Sequence, residues 1–240
     1  MTALAFRYLL RSNRVRMNFF LILPLAIAMA TQHVDARHTL ERNCMVTMIL
    51  LFIAGPGIVG SSAINLLGGL RSGLQRLVLV PGGLTCFLRA GMAACLLISS
   101  GITLILATIF IFSHVPMSAV QWFAILATSL GGNLLFMQLG VVTSLRAPRT
   151  VDLHSISGWG AYSIAGFALT ILHMLFGMIC AYVITYGLFA WNAPSAGIAI
   201  GVVVLCIGIA SFYFGRRFDV VHPAQQEALL DTLGGQHDHF

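Results

Sequence analysis

The sequence contains no lysine; all 13 of its basic residues are arginine. A Walker A loop needs a lysine to reach the nucleotide phosphates, and no G-x-x-x-x-G-K-[ST] run is present, so this chain carries no P-loop ATPase. Charge is scarce overall. Charged residues make up 8% of the chain, against about 25% in an ordinary soluble domain. All seven acidic residues (Asp35, Glu41, Asp152, Asp219, Glu227, Asp231 and Asp238) fall outside the apolar runs. A proton- or sodium-coupled carrier would usually place carboxylates inside the membrane, and their absence argues that energy for any work arrives from elsewhere. The five cysteines, Cys44, Cys86, Cys95, Cys180 and Cys206, form no C-x-x-C pair. Most fall within or beside apolar runs, where a cysteine behaves as a small hydrophobe. No metal site or redox pair is expected. Serine chemistry fails as well: Ser157-Gly158 has no base near it in the pattern, and Ser61-Ser62 suits close helix approach.

What the chain has instead is apolar length. Of its 240 residues 58% are hydrophobic, with a mean hydropathy of +0.93. The composition predicts an all-α integral membrane protein with six transmembrane helices. The expected division is an N-terminal interfacial helix over 1–16, a six-span domain over 17–217 and a polar tail over 218–240. In residues 2–16, Arg7, Arg11 and Arg14 recur at helical spacing opposite Leu4, Tyr8 and Leu9, as in a helix lying on an anionic leaflet. A cleaved signal peptide is the rival, supported only by Ala28-Met29-Ala30.

The first span is expected over Met17–Thr31, short enough that its start reaches back toward the arginines. The second covers Cys44–Leu66, with Pro56 in its middle. A mid-span proline removes a backbone bond and is tolerated where neighbours repair it. Further spans are expected over Leu88–Phe112, over Ala119–Val142, from about Trp159, and up to Gly215. The residues around Tyr186–Ser195 exceed what two spans need and read as an interfacial turn or a short re-entrant pair. With both termini cytoplasmic, Arg7, Arg11, Arg14, Arg16, Arg71, Arg76, Arg89, Arg146, Arg149, Arg216 and Arg217 lie inside, and only Arg37 and Arg42 outside.

His173 is the one clearly intramembrane ionisable residue. It reads as a substrate or proton contact, or as a neutral histidine hydrogen-bonded to a neighbouring helix, and the pattern favours the latter. Haem ligation would need a second histidine at matching depth. His33, His38, His114, His154 and His222 all fall near or beyond the membrane surfaces. His237-Asp238-His239 reads as a polar tail rather than a metal site.

The chain is organised around Asn65–Pro81, NLLGGLRSGLQRLVLVP. Leu67, Leu70, Leu74 and Leu77 share one helical face, Arg71 and Arg76 avoid its centre, and Pro81 stops the helix. The alternative is an ordinary basic loop between spans. This stretch resembles the cytoplasmic segment between the second and third spans of type-2 ABC exporter permeases, matching at Asn65, Gly68, Gly73, Leu74, Leu77, Leu79 and Pro81. Gly140, Ser144, Pro148, Val151 and Asp152 are similar to the segment that leaves the fourth span in that family. The sequence departs from the pattern at Gly69-Leu70, where an acidic residue is common, at Arg89-Ala90, where Gly-Lys is common, and at Val141, where Asn is common.

The resemblance implies a permease subunit of an exporter in the bacterial cytoplasmic membrane. The subunit would pair with a second copy or a sibling permease and be driven by a separate ABC ATPase that holds the ATP and Mg. It implies no bound cofactor, no catalysis by this chain and no nucleic-acid partner. The coupling segment 65–83 would contact the ATPase through Gly68, Leu70, Arg71, Gly73, Leu74, Arg76, Leu77 and Pro81. The second and fifth spans would line the substrate path, making Pro56 and His173 its candidates, with a lipophilic or amphipathic cargo. Two other readings stay open: a membrane redox or enzyme subunit that uses His173, and an ATP-independent carrier.

Overall fold

The computed structural model describes residues 7, 9–33, 40–67, 80, 82–112, 117–146, 164–189 and 194–218. Six long helices account for most of them: α1 (Asn13–His33), α2 (Leu40–Ile64), α3 (Gly83–Phe112), α4 (Ala119–Arg146), α5 (Ile164–Phe189) and α6 (Pro194–Phe218). There is no strand among the described residues. Helices α2, α3, α4 and α5 each hold a stretch long and apolar enough to cross a membrane. Helices α1 and α6 carry shorter apolar stretches, Val15–Ala28 and Gly197–Ser211. The secondary structure of the described residues is helical, and the chain has the make-up of a multi-pass membrane protein.

Local chemistry sets the helix starts. Ser12 stands at the head of α1: its carbonyl accepts the Arg16 N–H at 3.2 Å, while its own N–H donates to the Leu9 carbonyl at 3.1 Å. The helix therefore begins inside the arginine region, before the apolar run starts at Met17. Helix α3 begins five residues ahead of the expected Leu88. Gly83 N–H donates to the Val80 carbonyl at 2.8 Å and Cys86 N–H to the Gly82 carbonyl at 2.9 Å, with Gly82 at φ +69°. That conformation suits glycine and disfavours residues with a Cβ. At 30 residues α3 is about 45 Å long, more than the ~30 Å hydrocarbon layer, so its first turns precede the apolar core. Helix α4 opens on a capping box. Gln121 N–H donates to Ser118 Oγ at 3.4 Å, and Ser118 N–H to Gln121 Oε1 at 2.7 Å.

Of the interfacial turn and the short re-entrant pair expected around Tyr186–Ser195, the re-entrant pair does not fit the helices on either side. Helix α5 continues through Tyr186 to Phe189, and α6 starts at Pro194. Only residues 190–193 separate them, too few for a dipping pair. The surplus is absorbed by helices of 26 and 25 residues. Pro194 is compatible with a helix start, because the first-turn N–H it lacks would have no partner there.

Helix α2 is central and packs against α1, α3, α4 and α5. It runs antiparallel to α3, with Thr103 Oγ1 within 3.4 Å of the Leu51 carbonyl and Gly91 packed on Leu66. It runs parallel to α4, where Phe52 meets Gly132 and Ala63 meets Gly140. Helices α4 and α6 form the most extensive pair. A Cβ on Gly131 would stand 2.7 Å from the backbone of Val204 and Leu205, so small residues let the two backbones approach. Helix α5 is sided: Gly166, His173, Gly177, Ala181 and Ile184 are buried, at spacings near a heptad. Its remaining surface exposes Ile164, Phe167, Leu172, Leu175 and Ile179, as expected of a face turned to lipid.

This arrangement gathers the start of α1, the end of α2, the start of α3 and the ends of α4 and α6 at one end of the bundle. Arg7, Arg11, Arg14, Arg16, Arg89, Arg146, Arg216 and Arg217 lie at that end. Glu41 and Arg42 open α2 at the other.

Candidate functional site

Two places in the structure bear on function. The first is a cavity of about 490 Å³ between α1, α2, α4 and α5. Pro56 and His173, far apart in sequence, both line it, together with Asn18, Ile22, Phe136 and Thr170. Among the described residues the wall is mostly apolar and carries no charged side chain. Of its polar residues, Thr170 donates its hydroxyl to the Gly166 carbonyl at 3.0 Å. Asn18 Nδ2 reaches the carbonyls of Gly57 at 3.3 Å and Ile58 at 3.5 Å.

The imidazole of His173 lies between two aromatic rings. Phe52 stacks on it at a centroid distance of 4.4 Å and an interplanar angle of 21°, and Phe136 sits 4.5 Å away at 43°. Phe52 is itself wedged between α4 and α5. A Cβ on either Gly132 or Gly177 would collide with its ring. The imidazole also contacts the Phe52 backbone.

The position of Phe52 explains that contact. Pro56 has no N–H, so the carbonyl four residues earlier, that of Phe52, loses its ordinary helical donor. His173, from a neighbouring helix, reaches the Phe52 backbone, and such a contact is one way a mid-span proline is accommodated in a bundle. Pro56 and His173 are thus linked by structure. His173 Nε2 is buried and has no hydrogen-bond partner among the described residues.

The second place is the basic end of the bundle. Leu67, near the start of the coupling segment 65–83, donates its N–H to Ser144 Oγ at 3.0 Å. One helical turn earlier on both helices, Gly140 packs on Ala63 and Ile64, where an added Cβ would lie 3.3 Å from Ala63. Leu66 and Leu67 are fully covered, and Asn65 is buried beside them. The two stretches that carry the family resemblance therefore meet at Asn65–Leu67 and Gly140–Ser144. The proposed ATPase-contact residues Gly68, Leu70, Arg71, Gly73, Leu74, Arg76, Leu77 and Pro81 lie outside the described residues. So do Leu79, Pro148, Val151, Asp152, Leu4, Tyr8 and the tail with His237, Asp238 and His239.

Sequence reasoning missed three features. It did not single out Phe52, because nothing in a run of apolar residues marks which one will be wedged between glycines. It did not use Asn18, which projects from α1 toward α2. It also passed over Asn133, fully buried on α4, whose Nδ2 donates to Thr103 Oγ1 on α3 at 3.1 Å. The available signal was an amide inside an apolar run, a residue type that holds membrane helices together. Among the described residues no group of three or more His, Cys, Asp or Glu could hold a metal ion. No family model, curated protein or solved structure matches the chain.

Proposed function

We propose that the chain is the transmembrane permease subunit of an ATP-binding cassette exporter. In this reading all six helices span the bacterial cytoplasmic membrane, α1 and α6 crossing with their shorter apolar cores. Both termini and the arginine-rich end face the cytoplasm, following the positive-inside rule. A separate ATPase subunit binds and hydrolyses ATP with Mg, and the chain pairs with a second copy or a sibling permease. It performs no catalysis itself.

The observation that carries this reading is the union of Asn65–Leu67 with Gly140–Ser144. Two short stretches, each similar to a different part of the permease pattern, form one packed unit at the basic end. A force applied to the coupling segment 65–83 would pass into α2 through Leu66 and Leu67 and into α4 through Ser144. From α2 it would reach the cavity around Pro56 and His173, which lies on the proposed substrate path. The uncharged, apolar wall suits a lipophilic or amphipathic cargo, since a bare charge there would be costly to desolvate.

Reconstitution tests the reading. Proteoliposomes holding this chain and its ATP-binding subunit should move a lipophilic dye only when ATP is supplied. Movement by this chain without ATP would favour a carrier. A bound chromophore in the visible spectrum of the purified chain would favour a redox protein.

A further inference from the structure

The described residues just before α1 are helical, and the helix is interrupted at Ser12. Leu9, Ser12 and Val15 are buried around this interruption. Arg7, Leu10, Arg11 and Arg16, all exposed, line an open, shallow groove of about 440 Å³. Arg7 and Arg11 precede the interruption at Ser12, and Arg16 follows it. Arg16 Nη2 donates to the Arg11 carbonyl at 2.8 Å, which fixes that guanidinium at the rim. Glu41 is the one carboxylate residue among the described residues, and it opens α2 at the opposite end of the bundle. The cluster's positive charge therefore has no acidic counterpart among the described residues.

Position decides what such a groove would hold. Immediately beyond it α1 exposes Phe19, Phe20, Leu21 and Leu25, the side chains of a lipid-facing surface. Leu10, half exposed, carries an apolar contact up to the arginines. The guanidinium groups thus stand where a lipid-facing surface ends, the level of lipid phosphates. A guanidinium fork matches phosphate oxygens two at a time, with a geometry a lysine ammonium lacks.

We propose that Arg7, Arg11 and Arg16 form a discrete binding site for the phosphate headgroup of an anionic phospholipid, with Leu10 against the start of its acyl chains. The site anchors the start of α1 and the residues just before it. It differs from a diffuse basic surface in being saturable and in depending on these arginines rather than on net charge. It stands whether or not the chain works with an ATPase.

Native mass spectrometry of the full chain in a mild non-ionic detergent tests the site, titrated with dioleoyl phosphatidylglycerol or dioleoyl phosphatidylcholine. One phosphatidylglycerol should bind about tenfold or more tightly than phosphatidylcholine. The double variant Arg11→Gln/Arg16→Gln should lose that preference. Arg89→Gln, which removes a charge at the same end but outside the groove, should keep it. Arg16→Lys holds the charge without the fork and should weaken phosphatidylglycerol binding by about threefold or more. Equal binding of the two lipids by the wild type would overturn the proposal. So would an equal loss in Arg89→Gln, which would mean diffuse attraction. Displacement of phosphatidylglycerol by millimolar inorganic phosphate would overturn it in favour of a soluble-anion site.

Discussion

His173 on α5 contacts the backbone of Phe52, the residue whose carbonyl Pro56 leaves without a helical donor. One relationship explains both a proline in the middle of a buried helix and a histidine in an apolar one. It also makes the two residues energetically dependent on each other. His173→Phe keeps the ring stack but strands the Phe52 carbonyl, at a cost of about 1–3 kcal/mol. In a Pro56→Ala background the carbonyl regains its N–H, and the same change should cost little. Thermal denaturation of the four proteins in detergent, analysed as a double-mutant cycle, should give a coupling of about 1 kcal/mol or more. Independent effects would mean that the histidine does not serve the proline.

The wedge of Phe52 between α4 and α5 predicts a sharp difference among glycines. Gly132→Ala and Gly177→Ala each drive a methyl group into a ring that is fully buried and stacked on His173, so it has nowhere to move. Each should destabilise by about 1–3 kcal/mol. Gly101→Ala meets nothing within 4 Å and lies within a helix, where alanine is favoured. It should be neutral or slightly stabilising in the same denaturation assay.

Removing the Ser144 hydroxyl leaves the Leu67 N–H buried without an acceptor. Ser144→Ala should cost about 1–3 kcal/mol of stability. Hydrogen exchange should rise first at Leu66 and Leu67, before any change in α5. Uniform exchange across the bundle would show that the bond does not specifically fix the end of α2.

Gly82, at the end of the coupling segment and just before α3, has φ +69° with open space around the position of a Cβ. The penalty for Gly82→Ala is therefore backbone strain alone, about 1–2 kcal/mol. Gly82→Asn should recover part of it, because asparagine tolerates that conformation. Thermal midpoints ranked glycine, asparagine, alanine from highest to lowest would bear this out.

The sequence made much of the helical plan legible, for identifiable reasons. The start of α4 at Ala119 could be read because a capping sequence and an apolar onset coincide there. The start of α3 could not, since its first turn belongs to the helix without belonging to the apolar run. The re-entrant alternative came from allotting α5 and α6 a minimal span length, whereas both run longer. At the candidate site, Pro56 announced a broken bond, but only the packing register of α5 could name His173 as the residue that repairs it. The meeting of Leu67 with Ser144 joins positions 77 residues apart, and no local spacing encodes it. Gly131 and Gly208 were readable as close-packing residues, whereas their partner helices were not.

The most direct test of the permease reading is co-purification from the native host. The tagged wild-type chain is isolated in mild detergent beside a Leu74→Asp/Leu77→Asp variant that puts charges on the proposed docking face. The expected result is an ATP-binding subunit recovered with the wild type and lost from a variant that keeps its thermal midpoint. Recovery of well-folded wild-type chain with no ATP-binding subunit would contradict it.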